Sequence, residues 1–396
     1  MLRSLCFRNF LSFGPASGEI PLRRLNVVIG PNGSGKSNLL EGLGLLRAAP
    51  GALMAAVREG GPVRDWLWKG DVRQTIASLE LTTDADGQAA SLPALRYRLD
   101  FTESGHRFEI VDELIADAEV SGEGASLQFY YRYENDHPVL SVREPGSGYR
   151  GTPKSLRRAD VDSERSILAQ RRDPDLYPEL TALADALANI RIYRDWTFGR
   201  FAPPRMPQPT DLATRWLDEN AANLGLVLNR VKRSREARER FMELLRAIHD
   251  GADDFDVAIE GGLVQVLVRE GARSIPASRL SDGMLRYLSL LAVLCDPAPP
   301  PLICLDEPEL GLHPDVINHV ADALRAAAER TQIIVTTHSP ALVDAFTDDP
   351  ESVVICEKEH GATQLRRLDA TALRPWLDRY RLGSLWSSGE IGGNRW

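Results

Sequence analysis

Between Leu25 and Ser37 the chain reads LNVVIGPNGSGKS, a short apolar run followed by a glycine-rich turn that closes on Lys36 and Ser37. GxxxxGK[ST] requires a buried strand before it and a helix after it. Its glycines let the backbone turn tightly, so that successive N–H groups and the helix N-terminus converge on phosphate oxygens. LNVVIG fits a buried parallel strand, and the segment through LLEGLGLLR fits a helix that begins near Lys36. The candidate nucleotide-binding set is therefore Asn32, Gly33, Ser34, Gly35, Lys36, Ser37 and Asn38. Lys36 is expected at the β- and γ-phosphates of ATP and the Ser37 hydroxyl at Mg²⁺.

A second apolar segment, PLICLDEPE (Pro301 to Glu309), ends in two acids. Ligands of open α/β sheets bind at the carboxyl ends of the strands, so a carboxylate pair there is placed for chemistry. Asp306 is expected to hold the metal and Glu307 to orient or deprotonate the attacking water. By themselves these acids also allow the lesser reading of a turn start before Pro308; the upstream glycine loop favours the chemical reading. TQIIVTTHSP puts His338 just past another apolar strand, where a neutral imidazole can bond the γ-phosphate or the attacking water, although a strand-end histidine is more often structural.

With 396 residues, 43% of them hydrophobic, the chain suffices for one large domain with insertions or for two domains. The net charge of -9 restricts any nucleic-acid contact to a local basic patch. Four scattered cysteines with no CxxC pair imply a reduced, cytoplasmic protein. MLRSLCFRNF carries charges where a leader needs an apolar core, and no apolar run approaches the roughly 20 residues of a membrane span. The expectation is a soluble protein.

From Val72 to Arg143, segments rich in β-branched and aromatic residues alternate with turn residues, predicting an antiparallel β-subdomain. Ser155 to His249 reads as mainly helical, interrupted by the proline-rich RFAPPRMPQPTD (Arg200 to Asp211), expected as a hinge or surface loop. Strands FDVAIE and LVQVLVRE then lead to a helix over Gly283 to Leu294 and a βαβ rhythm. Two segments offer cations to a nucleic acid. RVKRSREARERFMELLR (Arg230 to Arg246) reads as a phosphate-tracking face or a solvated helix. Arg191, Arg194, Arg200 and Arg205 beside Tyr193, Trp196 and Phe198 read as a base-stacking surface or as core aromatics rimmed by arginines. The C-terminal tail carries Trp386 and Trp396 and is expected to dock on this chain or on a partner.

The order GPNGSGKS, LSDGM (Leu280 to Met284), ICLDEPE, ELGLHP (Glu309 to Pro314), TTHSP resembles the ABC-type ATPases of the RecF, SMC and OLD branch, and most of all the bacterial "AAA family ATPase" proteins of defence and repair loci. The resemblance covers about residues 1 to 46 and 279 to 368. It implies an α/β ABC-ATPase head, a P-loop fold with mixed sheet and antiparallel β-subdomain, carrying a mainly helical insertion. It divides the chain into an N-terminal head segment (1–104), an inserted β/helical subdomain (105–250), a C-terminal head segment (251–370) and a tail (371–396). It further implies ATP hydrolysis with Mg²⁺ at Ser37 and Asp306, a switch role for His338, and a homodimer closed around ATP in which Ser281 and Gly283 meet the γ-phosphate held by the second subunit. Read without the family, LSDG is an ordinary helix N-cap. ELGLHP matches the D-loop that crosses the dimer interface. The implied partners are DNA or an effector protein such as a nuclease, with no membrane. A switch without DNA contact and a transporter nucleotide-binding subunit are the alternatives; the insertion from about 105 to 250 and the ELGLHP sequence speak against the transporter. The Q-loop glutamine has no clear match, Gln74 being the nearest. No long coiled-coil seam or Toprim-like acid set accompanies the head, so nuclease activity is not expected of this chain.

Overall fold

The computed structural model describes residues 1–70, 76–85, 92–119, 127–134, 137–143, 151–194 and 196–393. Gln74 and Trp396 lie outside them. The chain forms two compact units: residues 1–23, 30–190 and 354–367, and residues 24–29, 191–353 and 368–396.

The first unit is built on an eight-stranded antiparallel sheet that runs from Ile20–Pro21 through Leu2–Arg8, Ala77–Thr83, Leu95–Ser104 and Arg107–Asp117 to Phe129–Glu134, His137–Val142 and Thr152–Ser155. Alternation decides its faces. In Ala77–Thr83 and Leu95–Ser104 every second residue is buried, so Leu79, Leu81, Tyr97, Leu99 and Phe101 form one packed face. Leu95–Ser104 and Arg107–Asp117 pair as one hairpin. The helix Lys36–Ala48 packs Leu39, Leu40, Leu43, Leu45 and Leu46 inward. A hairpin, Val353–Glu359 with Ala362–Arg367, completes this unit apart from Val353 itself.

In the second unit four parallel strands lie in the order Arg191–Tyr193, Leu302–Asp306, Gln332–Thr337, Leu25–Ile29. Leu25–Ile29 and Gln332–Thr337 are buried at every position, as a parallel sheet covered on both faces requires. The polar Asn26 is accommodated because its amide donates to the Ile333 carbonyl at 3.2 Å. A smaller antiparallel group, Asp254–Glu260, Leu263–Glu270 and Arg273–Pro276, precedes the helix Asp282–Leu294. These match the strand, helix, strand order expected beyond Asp254.

The proline-rich segment departs from a plain surface loop. Pro203–Arg205 forms a 3-10 turn, Gln208 pairs with Val264, and both Arg205 and Gln208 are buried. The tail settles on its own chain. Leu382, Leu385 and Trp386 of the helix Leu382–Ser387 are buried, Asp344 accepts from the Gly383 and Ser384 N–H groups, and the Trp386 indole donates to the Gly393 carbonyl.

Candidate functional site

In the first unit the glycine loop leads directly into the helix Lys36–Ala48, whose N-cap is Gly35 with no side chain bonded across the helix start. A helix start without a side-chain cap is the kind of place an anionic ligand occupies. Gly35 has φ 118°, and a Cβ there would stand 2.2 Å from Thr363 Oγ1. A Cβ on Gly30 would stand 2.0 Å from the Cys356 carbonyl oxygen. Both positions therefore exclude side chains for reasons of space as well as torsion.

Lys36 is buried and folds over its own loop, its ammonium donating to the carbonyls of Gly30 at 2.8 Å and Pro31 at 3.2 Å. Asn32, Gly33 and Ser37 are exposed. Ser34 is buried, with its carbonyl accepting from Thr363 Oγ1 at 2.6 Å. Thr363 also bonds Ser12 Oγ at 2.7 Å, and Ser12 Oγ accepts from the Asn38 amide at 2.7 Å. A network of Thr363, Ser12 and Asn38 thus holds the loop from outside it. Sequence reasoning missed Ser12 and Thr363, which stand far from the motif in the chain and belong to no recognisable pattern.

In the second unit the carboxyl ends of three parallel strands are aligned, with Asp306 opposite Thr336 and Thr337 opposite Ile29. The glycine loop starts at the residue after Ile29. Thr336 Oγ1 donates to the Asp306 carboxylate and fixes its rotamer. Glu307 adopts φ 47°, a left-handed conformation that side-chain-bearing residues rarely take, and its N–H donates to the Thr336 carbonyl at 3.0 Å. The turn aims Glu307 back over the strand ends, where its Oε1 stands 3.3 Å from His338 Nε2. Ser339 caps the helix Pro340–Ala345 through Leu342 N–H, and its own N–H donates to Thr337 Oγ1 at 2.9 Å, which fixes the backbone on both sides of His338. Glu309 turns inward onto Thr337 Oγ1, and burial pushes its carboxyl above the usual range. Glu307 and His338 are thus in contact, and Asp306, next to Glu307, is held by Thr336.

In the same unit Ser281 N-caps the helix Asp282–Leu294 by accepting from Met284 N–H at 3.2 Å, so the cap reading of LSDG holds as local structure. Ser281 and Asp282 are exposed. Gly283 lies against the ELGLHP turn: a Cβ on it would stand 3.2 Å from the Gly311 carbonyl oxygen, and Gly311 itself has φ 75°. Leu310, beside it, is 57% exposed. The signature and D-loop candidates therefore share one exposed face.

The two cation-rich segments are engaged internally. Arg230 pairs with Asp296, Lys232 with Asp256, Arg235 with Glu239, Arg238 with Asp254 and Arg240 with Glu236, while Arg246 donates to backbone carbonyls. Tyr193, Trp196 and Phe198 are core residues in mutual ring contact. Arg191 lies over the Trp216 ring.

The family model described as "AAA domain, putative AbiEii toxin, Type IV TA system" matches residues 25–344, and the chain belongs to that family. Over 87 residues it is 40% identical to ABC transporter A family member 4 of Arabidopsis thaliana, a match covering 22% of this chain and 9% of that protein. Over 198 residues it is 27% identical to the chromosome partition protein Smc of Mycobacterium tuberculosis, covering 48% of this chain and 16% of Smc. The chain thus spans a small fraction of these curated relatives. Among solved structures, the Smc head bound to the C-winged helix domain of ScpA aligns with TM-score 0.59 at 14% identity, over 94% of this chain and 99% of that one. A Pyrococcus furiosus Smc head with an extended coiled coil, bound to the C-terminal domain of ScpA, aligns with TM-score 0.56 at 14% identity, over 95% and 98%. The chain carries an AAA-family P-loop ATPase domain and has the fold of an SMC head. Among the described residues no helix is long and apolar enough to cross a membrane.

Proposed function

We propose that two copies of this chain close around ATP, hydrolyse it at sites composed from both, and use closure to control a partner effector protein such as a nuclease. The observation that carries the reading is the shared exposed face of Gly283 and Gly311, with Leu310 open beside them. An exposed helix N-terminus offers amides to an anion brought by another molecule.

In this reading Asn32, Gly33, Ser34, Gly35, Lys36, Ser37 and Asn38 hold the triphosphate, with Lys36 leaving its loop carbonyls for the β- and γ-phosphates. Ser281 and Gly283 meet the γ-phosphate held by the second copy. The exposed Ser37 hydroxyl and the Asp306 carboxylate are hard oxygen donors that suit Mg²⁺. Mg²⁺ held by such donors would neutralise charge on the β- and γ-phosphates. Glu307 accepts the proton of the attacking water, and His338 orients Glu307 and bonds the γ-phosphate. The internal pairing of the Arg230 to Arg246 cations favours a protein partner over DNA. A role in phage defence or repair is in keeping with the toxin system named in the family description.

Glu307→Gln tests this reading. The amide keeps the shape but cannot take the water's proton, so ATP binds and is not hydrolysed. This variant should elute as a dimer at saturating ATP and as a monomer without it. Elution as a monomer at saturating ATP would contradict the composite site.

A further inference from the structure

Arg205 is an arginine with 8% exposure in the middle of a proline-rich loop, a placement that the ATPase motifs do not explain. Its Nε donates to the Phe198 carbonyl at 3.0 Å. Its Nη1 donates to the Leu280 carbonyl at 2.6 Å and, more weakly, to the Ala277 carbonyl at 3.4 Å. Its Nη2 pairs with the Asp282 carboxylate. The residues it grips at 280 and 282 are those on either side of Ser281.

A guanidinium is suited to such a clamp because its five N–H donors are fixed in one plane. Bonds to the carbonyl before Ser281 and the carboxylate after it define the direction in which the Ser281 hydroxyl and the Gly283 N–H point. A second arginine ties the helix after the turn to the same neighbourhood of Phe198. Arg286 donates to the Trp196 carbonyl at 2.6 Å, with its guanidinium 5.5 Å from the centre of the Phe198 ring. Trp196 and Phe198 are buried, so both carbonyl anchors sit on a packed base. Asp282 lies on the solvent side, its side chain 67% exposed. The buried end of the clamp is therefore fixed and its outer end bears on the turn.

We propose that Arg205 is a positioning residue for the LSDGM turn, holding Ser281 and the Gly283 amide in the orientation that receives the γ-phosphate carried by a second copy. The inference rests on the composite-site reading above. The Arg200 to Asp211 loop thereby gains a role, which is to deliver one guanidinium to the signature turn.

The test uses full-length protein carrying Glu307→Gln, so that dimer formation is read without turnover. Arg205→Lys keeps the cation but cannot reach all four acceptors from one nitrogen. Asp282→Asn removes only the ionic contact. Binding of a fluorescent ATP analogue and the melting midpoint should stay close to the parent's for both variants. The ATP concentration for half-maximal dimer should rise about tenfold or more for Arg205→Lys, and less for Asp282→Asn. With Glu307 intact, Arg205→Lys should recover specific activity as protein concentration is raised, which a uniformly loosened fold would not do.

If the parent dimerises and Arg205→Lys dimerises at the same ATP concentration, the proposal fails while the composite site stands. A drop in melting midpoint together with analogue affinity would make Arg205 a general structural residue and also overturn it. A parent that stays monomeric at saturating ATP removes both readings.

Discussion

His338 Nε2 and Glu307 Oε1 stand 3.3 Å apart at the ends of adjacent parallel strands, each carried on a constrained stretch of backbone. Glu307 is held by its left-handed backbone and the Thr336 carbonyl, and His338 by the Ser339 cap and Thr337. Each is about one-third exposed, enough to reach a water and a phosphate.

His338→Ala should therefore lower kcat roughly 10²-fold while leaving the KM for ATP near its original value, since the loss falls on the transition state. Steady-state phosphate release measures it. A rise in KM with unchanged kcat would place His338 in ground-state binding instead.

Thr363→Val replaces the hydroxyl that bonds the Ser34 carbonyl and Ser12 with a methyl of similar shape. The glycine loop then loses its external tether, and ATP affinity should fall about tenfold, with the helix Lys36–Ala48 intact. Calorimetry of nucleotide binding reads the effect; unchanged affinity would show that the loop holds its own shape.

Glu113 is buried, accepts from Tyr97, Ser166 and Ile167 N–H, and is pushed up to about 7 by burial. Because the folded value lies above the unfolded one, the native state holds the proton more tightly, and stability from this group falls as pH rises through about 7. The melting midpoint of Glu113→Gln relative to wild type should improve between about pH 5.5 and about pH 8, a range that brackets the folded value. A difference independent of pH would contradict the assignment.

What could be read beforehand was local. GPNGSGKS announces its turn and the helix after it, and ICLDEPE and TTHSP carry strand and strand-end residue in one contiguous string. What could not be read depends on partners distant in sequence. Thr363 reaches Ser34 across 329 positions and Arg205 reaches Leu280 across 75. The strand Arg191–Tyr193 is only three residues long and takes its place by pairing with Leu302–Asp306, so no periodicity announces it. The cluster of arginines and aromatics allowed two readings because composition does not show which way a ring faces. Burial of Tyr193, Trp196 and Phe198 decides for the core.

The central claim is that each active site is shared, and mixing two damaged proteins tests it most directly. Lys36→Ala and Gly283→Asp should each be nearly inactive alone, because a two-fold dimer of either carries two damaged sites. In an equal mixture about half the dimers are mixed, each with one doubly damaged site and one intact, so activity should return toward roughly a quarter of wild type if the sites act independently. A control in which both partners carry Lys36→Ala should stay inactive. Recovery in the first mixture alone is the predicted result; no recovery, with subunit exchange demonstrated by cross-linking, would contradict the shared site and leave LSDGM a helix cap.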